Sequence, residues 1–513
     1  AHSVHVRDVD AVCVRLRAVV AVLLHVATED RHIVAIDLLV RGTVIHTPTF
    51  SSLAVLENAV LGVHDGRVAF CEDAHTEVID PGGFVTLRTG AHFDLADACV
   101  IRELPPRGFV VPGLIDTHTH APQFKFAGTG YDMQLLDWLT TYTFPSEAKW
   151  SDLQHAARVC HNAVRRTLRH GTTSCLWFAT IHTDAAVQLG RIAAGLGQRA
   201  FVGKVNMDRN APPTYCEASA AESLAETERF VKLVLGDAAA GGRGADAAAD
   251  GVCVDCAPLG PPPQPVITPR FVPTCTAELM AGLGALAKEH NLLVTSHVSE
   301  NEGEIAWVKE LHPEAPSYTA VYDMMGLLTD KTILAHGVYL RQDERALFKA
   351  RGAAVSHCPL SNLQLRSGML NVRRCLEEGV AVALGTDVSG GAAPSMLSAV
   401  REALKVSNMV SLAERRPPQR FGEHEGKPYA PLSYAEAFWL ATVGGARALG
   451  VEHLTGDFGD GAAFDAVVVD PDASGSPIDL YEGEPPLEAF QKWIQLGDDR
   501  NTAGVFVNGV GVL

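Results

Sequence analysis

The chain has 513 residues, a length that allows one large α/β barrel together with a smaller domain. Hydrophobic residues make up 47% of it and charged residues 20%, which excludes a disordered or fibrous protein and indicates a sizeable core. Because 60 acidic residues outnumber 42 Lys and Arg and leave a net charge of −18, a surface that binds a nucleic acid polymer or an anionic membrane is not expected.

The two ends of the chain differ in pattern from its middle. Residues 1–40 are an extension to which no structure is assigned, and their apolar run Ala18–Leu24 is far shorter than a membrane span. Residues 41–108 contain β-rich runs broken by Gly and Asp turns, and residues 446–513 repeat this pattern at the other end. We therefore expect the two ends to pair into one small β domain beside the barrel.

Residues 109–445 alternate short apolar runs with stretches of helical periodicity, which predicts βαβ units and a parallel sheet. Eight runs are candidate strands of a (β/α)8 barrel: Phe109–Ile115, Thr172–Phe178, Ala200–Asn206, Val266–Phe271, Leu292–Ser296, Thr332–Ala335, Ala353–Ser356 and Val380–Leu384. Helices are predicted over Asp152–His170, Ala277–Glu289, Glu302–Leu311 and Asp343–Arg351. The Ala-, Gly- and Pro-rich stretch 236–265 is predicted to be a surface insertion, with Cys253 and Cys256 as loop cysteines rather than zinc ligands.

The cysteine pattern indicates the compartment. The eleven cysteines are scattered from Cys13 to Cys375 and do not form the dense framework of a small secreted domain. This distribution favours a reducing environment, and we expect a cytoplasmic protein.

Histidines and one carboxylate follow the candidate strands, at the ends where a barrel carries its active site. His118 and His120 are two positions apart in an extended segment, so their side chains project to the same side. His297, His336 and Asp387 follow the fifth, sixth and eighth candidate strands. Each could instead cap a strand or, for Asp387, a helix, but five such residues at converging ends favour a metal site. These ligands suit zinc or another borderline divalent ion, which lowers the pKa of a bound water from about 15.7 to about 7 and predicts hydrolytic chemistry.

Glu300 lies three residues after His297, close enough to share the metal site if the loop turns inward. A carboxyl group there could take a proton from the metal-bound water and pass it to the substrate. The alternative is an acidic residue at the start of a helix, stabilised by the helix dipole. We favour the catalytic role.

A resemblance to the amidohydrolase superfamily rests on four segments: PGLIDTHTH at 112–120, AH at 335–336, SHCPLSN at 356–362 and GTD at 385–387. Within that superfamily, four further segments resemble the guanine deaminase family: APQFKFAG (121–128), WLTTYTFPSE (138–147), GKVNMD (203–208) and ITPRF (267–271). The resemblance runs from about residue 41 to the end of the chain, apart from the insertion. It implies a zinc-bearing barrel with a small β-sandwich that converts guanine and water into xanthine and ammonia and forms a homodimer.

The resemblance also implies roles for single residues. The metal ligands would be His118, His120, His297 and Asp387, with His336 contacting either the metal or its hydroxide. Glu300 would shuttle protons, and Asp387 would double as a base. The substrate would be held by Gln123, Arg270 and Phe271, together with His120, His297 and Asp387.

The number of metal ions is inferred from the fourth strand. Two-metal members of the superfamily bridge their ions through a Lys at its end, and Val266–Phe271 contains none, so one zinc ion per chain is expected. Lys204, on the third strand, is expected to pair with a carboxylate. Two other functions stay open: a deaminase or chlorohydrolase of another heterocycle, and a catalytically inactive barrel that serves as a scaffold.

Overall fold

Two β-sheets organise the chain in the computed structural model, which describes residues 35–73, 78–80, 84–87, 91–239, 258–414 and 429–513. The first sheet begins with seven strands: β1 (Ala35–Thr49), β2 (Ser52–His64), β3 (Arg67–Asp73), β4 (Val78–Asp80), β5 (Phe84–Thr86), β6 (His92–Glu103) and β7 (Phe109–Pro112). Strands β2 and β3 form a hairpin whose turn residues Asp65 and Gly66 have φ angles of 48° and 71°. Positive φ at both positions is what a two-residue type I′ turn requires, and Asp-Gly is a sequence that adopts it.

The second sheet is a barrel of eight parallel strands and confirms the predicted (β/α)8 fold. Its strands are β8 (Leu114–His120), β9 (Thr172–Phe178), β10 (Arg199–Asn206), β11 (Gln264–Pro269), β12 (Leu293–Val298), β13 (Thr332–His336), β14 (Ala354–His357) and β15 (Ala381–Leu384). The segment after β15 returns to β8, because Asp387 N donates to His118 O at 2.8 Å and His120 N donates to Val388 O at 2.9 Å.

Three strands from the carboxyl-terminal part of the chain complete the first sheet: β16 (Ala466–Val469), β17 (Thr502–Val507) and β18 (Val510–Gly511). Strand β16 pairs antiparallel with β7, so both ends of the chain contribute to one β-rich sheet, as predicted. Residues 1–34, most of the insertion predicted at 236–265, and its Cys253 and Cys256 lie outside the described residues.

Helices follow most barrel strands. The described α-helices of six or more residues are Leu153–Arg169, Thr183–Gly195, Ala220–Ala239, Ala277–Glu289, Glu302–Leu311, Tyr318–Met324, Gln342–Arg351, Pro359–Gln364, Val372–Glu377, Met396–Glu414, Tyr434–Leu440, Val443–Ala448 and Pro486–Leu496. Two of them, Ala277–Glu289 and Glu302–Leu311, begin and end where the sequence predicts. Short helical turns run from Leu135 to Glu147 after β8. No helix in the described ranges is long and apolar enough to cross a bilayer.

The first predicted barrel strand, Phe109–Ile115, is wrong, because the structure divides it between the two sheets. Phe109–Pro112 belongs to the chain-end sheet, and the barrel strand is Leu114–His120. Gly113 lies between them, where its N donates to Asp465 O at 2.8 Å. A Cβ at this position would lie 2.1 Å from Thr173 Oγ1, so only glycine allows the close approach at which the chain changes sheets.

Candidate active site

Four potential metal ligands converge at the carboxyl end of the barrel. His118 and His120 lie on β8, His297 on β12, and Asp387 shortly after β15. The Nε2 atoms of His118 and His120 are 3.2 Å apart and lie 3.2 and 3.3 Å from Asp387 Oδ1, while His297 Nε2 is 3.3 Å from His120 Nε2. All four donor atoms lie within 4.8 Å of one another. We call these residues the metal-ligand group.

Four of the six donor separations in this group match the spacing of ligands around a metal ion of the size of zinc. Two ligand atoms that each lie about 2.0 to 2.1 Å from such an ion are about 3.3 to 3.4 Å apart. The closest donor atoms here are separated by 3.2 to 3.3 Å. Three imidazoles and one carboxylate are also ligand types that zinc accepts, so both the chemistry and the spacing of the group suit the ion.

Hydrogen bonds and burial hold these side chains in the form that binds a metal. His297 Nδ1 is 2.6 Å from Arg270 O, and since a carbonyl only accepts, Nδ1 carries the proton and Nε2 keeps its lone pair. Burial lowers the pKa of His118 to about 4 and that of His297 well below its ordinary value, which keeps both imidazoles neutral. Burial would raise the pKa of Asp387, but hydrogen bonds with His118 and His120 outweigh it and lower the pKa. Asp387 is therefore a carboxylate.

Three non-glycine residues with left-handed backbone angles cluster around the site. The φ angles are 47° at Ser299, 74° at His336 and 48° at Asp387. Such conformations are uncommon for these residue types and persist where the surroundings impose them. At Asp387 the surroundings include Asp116 on β8, whose Oδ1 accepts a hydrogen bond from Thr386 N at 3.0 Å. This bond fixes the segment that carries Asp387 to the first barrel strand.

Glu300 and His336 face each other beside the metal-ligand group. His336 Nε2 lies 3.6 Å from Glu300 Oε2 and 3.9 Å from Asp387 Oδ2, and its Nδ1 is 2.8 Å from Asn362 Oδ1. Burial raises the pKa of Glu300 to about 7, although His336 opposes the shift. Burial would lower the pKa of His336, but Glu300 and Asp387 together raise it. His336 is not one of the four mutually close donors and is placed next to the Glu300 carboxyl group.

The side chain of Glu300 faces the cavity and does not cap the helix that follows. Asn301 is the N-cap of Glu302–Leu311, where its Oδ1 accepts a hydrogen bond from Glu304 N at 2.9 Å. Glu300 Oε1 instead accepts from Ser367 Oγ at 2.9 Å, and its backbone N donates to Glu304 Oε2 at 2.9 Å. Backbone and side-chain bonds thus hold the carboxyl group towards His336.

A cavity opens onto these groups. Apolar side chains of the helical turns after β8, including Leu135, Trp138 and Leu139, form part of its wall. The structure also brings to this wall every residue predicted to bind substrate: His120, Gln123, Arg270, Phe271, His297 and Asp387. The wall combines apolar side chains with several polar and charged groups that could orient a small molecule.

Glu147 ends the segment WLTTYTFPSE, to which the resemblance assigns no role for this residue, and the structure places it in contact with two of the predicted substrate-binding residues. Its side chain is fully buried and accepts hydrogen bonds from Arg270 Nη1 at 2.5 Å, Arg270 Nη2 at 3.2 Å and Gln123 Nε2 at 3.0 Å. A signal was present, because Glu147 stands between the large apolar residues Phe144 and Trp150, and a buried acid needs a charged or hydrogen-bonded partner. The sequence gives no sign of which partner it finds.

Lys204 lies on β10, on the face that packs against the helices, and confirms the pairing predicted for it. Its Nζ is 2.5 Å from Glu217 Oε1, and its side chain is fully buried. Strand β11, which would carry a bridging lysine, contains none. The structure therefore provides no lysine on that strand to join two metal ions.

Known proteins resemble this chain in sequence and structure. Residues 109–258 and 261–512 match the amidohydrolase family. The chain belongs to the amidohydrolase family. This amidohydrolase is 41% identical over 472 residues to guanine deaminase from Dictyostelium discoideum, covering 92% of this chain and 97% of the relative. It is 42% identical over 479 residues to guanine deaminase from Homo sapiens, covering 92% and 96%.

The fold comparison agrees with the sequence comparison. The amidohydrolase superposes on a crystal structure of guanine deaminase from C. acetobutylicum with guanine bound in its active site, with a TM-score of 0.77 and 32% identity over 93% of this chain and 99% of the other. Members of the family are metal-dependent hydrolases, and the metal-ligand group is the candidate metal site of this one.

Proposed function

We propose that this amidohydrolase hydrolyses guanine to xanthine and ammonia. The observation that carries the proposal is that three members of the metal-ligand group, His120, His297 and Asp387, line one cavity together with the hydrogen-bonding side chains of Gln123 and Arg270. It is supported by relatives named guanine deaminase that are 41% and 42% identical over 92% of the chain. A structural neighbour at 32% identity carries guanine in its active site.

We infer that one zinc ion per chain is held by the metal-ligand group. The four donors match the ligand types and spacing of a tetrahedral zinc site, and β11 supplies no lysine for a second ion. His336 would contact the ion or the water bound to it. A bound zinc ion would lower the pKa of a water molecule from about 15.7 to about 7.

Glu300 would move protons between water and the substrate. Its pKa of about 7 leaves it able both to accept a proton from the attacking water and to donate one to a ring nitrogen near neutral pH. Water adds to the carbon that bears the exocyclic amine, and the amine leaves with a further proton as ammonia. Asp387, which is ionised before the reaction, would take the second proton of the water and pass it to the departing amine.

The remaining cavity residues would recognise the purine. The planar guanidinium of Arg270 presents N–H donors in a fixed fork that suits a carbonyl oxygen at the edge of a flat ring. Gln123 would add an amide donor. Phe271 would pack on the heterocycle, and its ring is held edge-to-face against Trp307 with centroids 6.2 Å apart.

We further infer that the protein is cytoplasmic and acts as a homodimer. The cytoplasmic location is supported by eight cysteines in the described ranges that are all unbridged. The homodimer rests on the resemblance to the guanine deaminase family. Guanine and water are the expected partners, and the net charge of −18 makes a nucleic acid polymer an unsuitable one.

Ammonia release from a panel of guanine, adenine, cytosine and pterins tests the proposed function. We expect rapid release from guanine with one xanthine formed per ammonia, and little from the other compounds. Faster release from another heterocycle would make the protein a different deaminase. No release from any of them, with zinc bound, would leave the inactive scaffold as the better account.

A further inference from the structure

Glu147 carries a charge that no step of the proposed reaction uses. The side chain is 0% exposed, whereas its partners Gln123 and Arg270 line the cavity. Arg270 donates to it from both terminal nitrogens, at 2.5 and 3.2 Å, and Gln123 Nε2 donates at 3.0 Å. We call these three residues the Glu147 cluster. Its hydrogen bonds therefore reach the cavity through the two residues that face it.

The ion pair within this cluster is electrically neutral. Burial would raise the pKa of Glu147, but Arg270 outweighs it and lowers the pKa, so the side chain is a carboxylate. Burial would lower the pKa of Arg270, but Glu147 raises it, so the guanidinium is charged. The other titratable groups that act on the pair are Tyr215, His120 and Asp387. One negative and one positive charge thus offset each other where the substrate edge would bind.

The same contacts fix the direction of the donors. A guanidinium has five N–H groups in one plane, and Glu147 accepts from the two terminal nitrogens of Arg270, which sets that plane. Gln123 Oε1 accepts from Ser389 N at 3.2 Å, so its amide is held from both sides. The cluster presents oriented N–H groups to a ligand without presenting an unpaired charge.

We propose that Glu147 is a positioning residue that also sets charge selectivity: it aims the donors of Arg270 and Gln123 and cancels the charge of Arg270, so that the cavity favours an uncharged heterocycle over an anion. A neutral carbonyl needs only the donors. An anion gains strongly from an unpaired guanidinium but little from a neutral ion pair. The inference rests on the proposed function, because it concerns the purine bound in this cavity.

This selectivity distinguishes substrate from product. Hydrolysis replaces the exocyclic amine of guanine with a carbonyl, and xanthine is the stronger acid of the two purines. Deprotonated xanthine is an anion, which a guanidinium paired with Glu147 holds less tightly than an unpaired one would. Glu147 therefore favours binding of guanine and release of xanthine.

Kinetics of Glu147→Gln test the proposal, with Glu436→Gln as the matched control. Glu436 forms a similar two-point ion pair with Arg373, at 2.9 and 2.8 Å, and does not line the cavity. The measurements are kcat and KM for guanine, and the inhibition constant of xanthine at one pH where xanthine is neutral and at a higher pH where it is an anion. These are compared with the same constants of the parent protein.

We expect Glu147→Gln to raise KM for guanine at least about tenfold with a smaller change in kcat, because the donors lose their charged partner. The ratio of the inhibition constant of neutral xanthine to that of the xanthine anion should rise at least about tenfold, because the anion binds more tightly to the variant. Glu436→Gln should match the parent in both respects. An unchanged ratio of the two xanthine inhibition constants would overturn the proposal, whatever happens to KM.

A second variant covers the case in which Glu147→Gln does not fold. Glu147→Asp keeps the negative charge but withdraws the carboxylate from its donors, so it should raise KM for guanine and keep the xanthine ratio of the parent. A KM equal to that of the parent would contradict the positioning role. A parent protein that releases no ammonia from guanine would refute the proposed function instead, and this is seen before any variant is compared.

Discussion

The metal-ligand group and the Glu147 cluster line or support one cavity, but they differ in how their charged and polar groups are paired. In the metal-ligand group, imidazole nitrogens lie 3.2 to 3.3 Å from one another and from the Asp387 carboxylate, an arrangement of donors that suits a bound cation. In the Glu147 cluster, the Arg270 cation and the Glu147 anion offset each other without a ligand. The candidate metal site therefore gathers ligand atoms for a cation, whereas the charges of the Glu147 cluster are paired within the protein.

Losing a metal ligand is expected to have the largest effect. His118→Ala removes one of the four donors, so bound zinc should be lost and ammonia release from guanine should fall to the limit of detection. The physical reason is that water not bound to a metal keeps a pKa of about 15.7, so very little hydroxide forms at neutral pH. Elemental analysis and an ammonia assay on one preparation check both. His453→Ala, at an exposed histidine, is the control and should keep zinc and activity.

Glu300→Gln should reduce turnover without removing the metal. The change keeps the size of the side chain but removes its titrating carboxyl group, and such groups contribute on the order of 10²- to 10⁴-fold. Zinc content should equal that of the parent, because Glu300 is not one of the four donors. Glu302→Gln, at an exposed acid two residues later, should retain turnover. An active Glu300→Gln protein would remove this residue from the mechanism, and a zinc-free one would make it a ligand.

The pH profile tests the same residue independently. Burial raises the pKa of Glu300 to about 7, so the carboxyl group is protonated below that pH and ionised above it. Since it must first accept a proton, kcat/KM for guanine should fall as the pH is lowered through about 7. A metal-bound water with a pKa of about 7 would contribute to the same limb, so Glu300→Gln should make the limb shallower without abolishing it. A parent profile that stays flat from about pH 8 to about pH 5 would be inconsistent with proton acceptance by Glu300.

Arg270→Lys should act on substrate binding and leave the metal-ligand group intact. A compact ammonium cannot reproduce a fork that contacts both Glu147 and a planar ligand. A hydrogen bond to a charged group contributes about 1.5 to 3 kcal/mol, so KM for guanine should rise about 10- to 150-fold with zinc retained. Arg373→Lys, at the ion pair with Glu436 outside the cavity, is the control. An unchanged KM would exclude Arg270 as a substrate contact.

The smallest effect is expected at Phe271. Phe271→Leu keeps an apolar side chain in the cavity wall but removes the aromatic face, whose contacts contribute about 0.5 to 1.5 kcal/mol. KM for guanine should rise about 2- to 12-fold, with kcat near that of the parent. Phe348→Leu, at a fully buried phenylalanine of the helix Gln342–Arg351, should lower thermal stability and leave KM unchanged. If Phe271→Leu had the same KM for guanine as Phe348→Leu, this result would argue against stacking of the Phe271 ring on the substrate.

The contrast between the two parts of the site also explains what could be predicted from the sequence. The metal-ligand group lies at or just after strand ends, and strands of a barrel converge there, so spacing along the chain was enough to bring His118, His297 and Asp387 together. The partners of Glu147 depend on how the helical turns after β8 fold back over the barrel, which no short-range pattern encodes. The apolar pattern of the sequence likewise predicts one strand over Phe109–Ile115, because such a pattern carries no information about the change of sheet at Gly113.

The domain boundaries at residues 41, 109 and 446 stay a prediction. Strand β1 begins at Ala35, before residue 41, and β7 ends at Pro112, after residue 109. The chain-end sheet therefore extends across both of these predicted boundaries. A domain boundary inferred from composition marks a change of pattern, whereas a strand ends where its hydrogen-bond partners end. Limited proteolysis would show where the chain separates.

Stepwise removal of zinc tests the central claim most directly. Dialysis against a chelator for increasing times, followed by elemental analysis and measurement of ammonia release from guanine, relates activity to bound metal on the same samples. The account predicts that activity falls in proportion to zinc, reaches its full value at one zinc per chain and returns when zinc is restored. Full activity in metal-free protein, or a requirement for two zinc ions per chain, would contradict it.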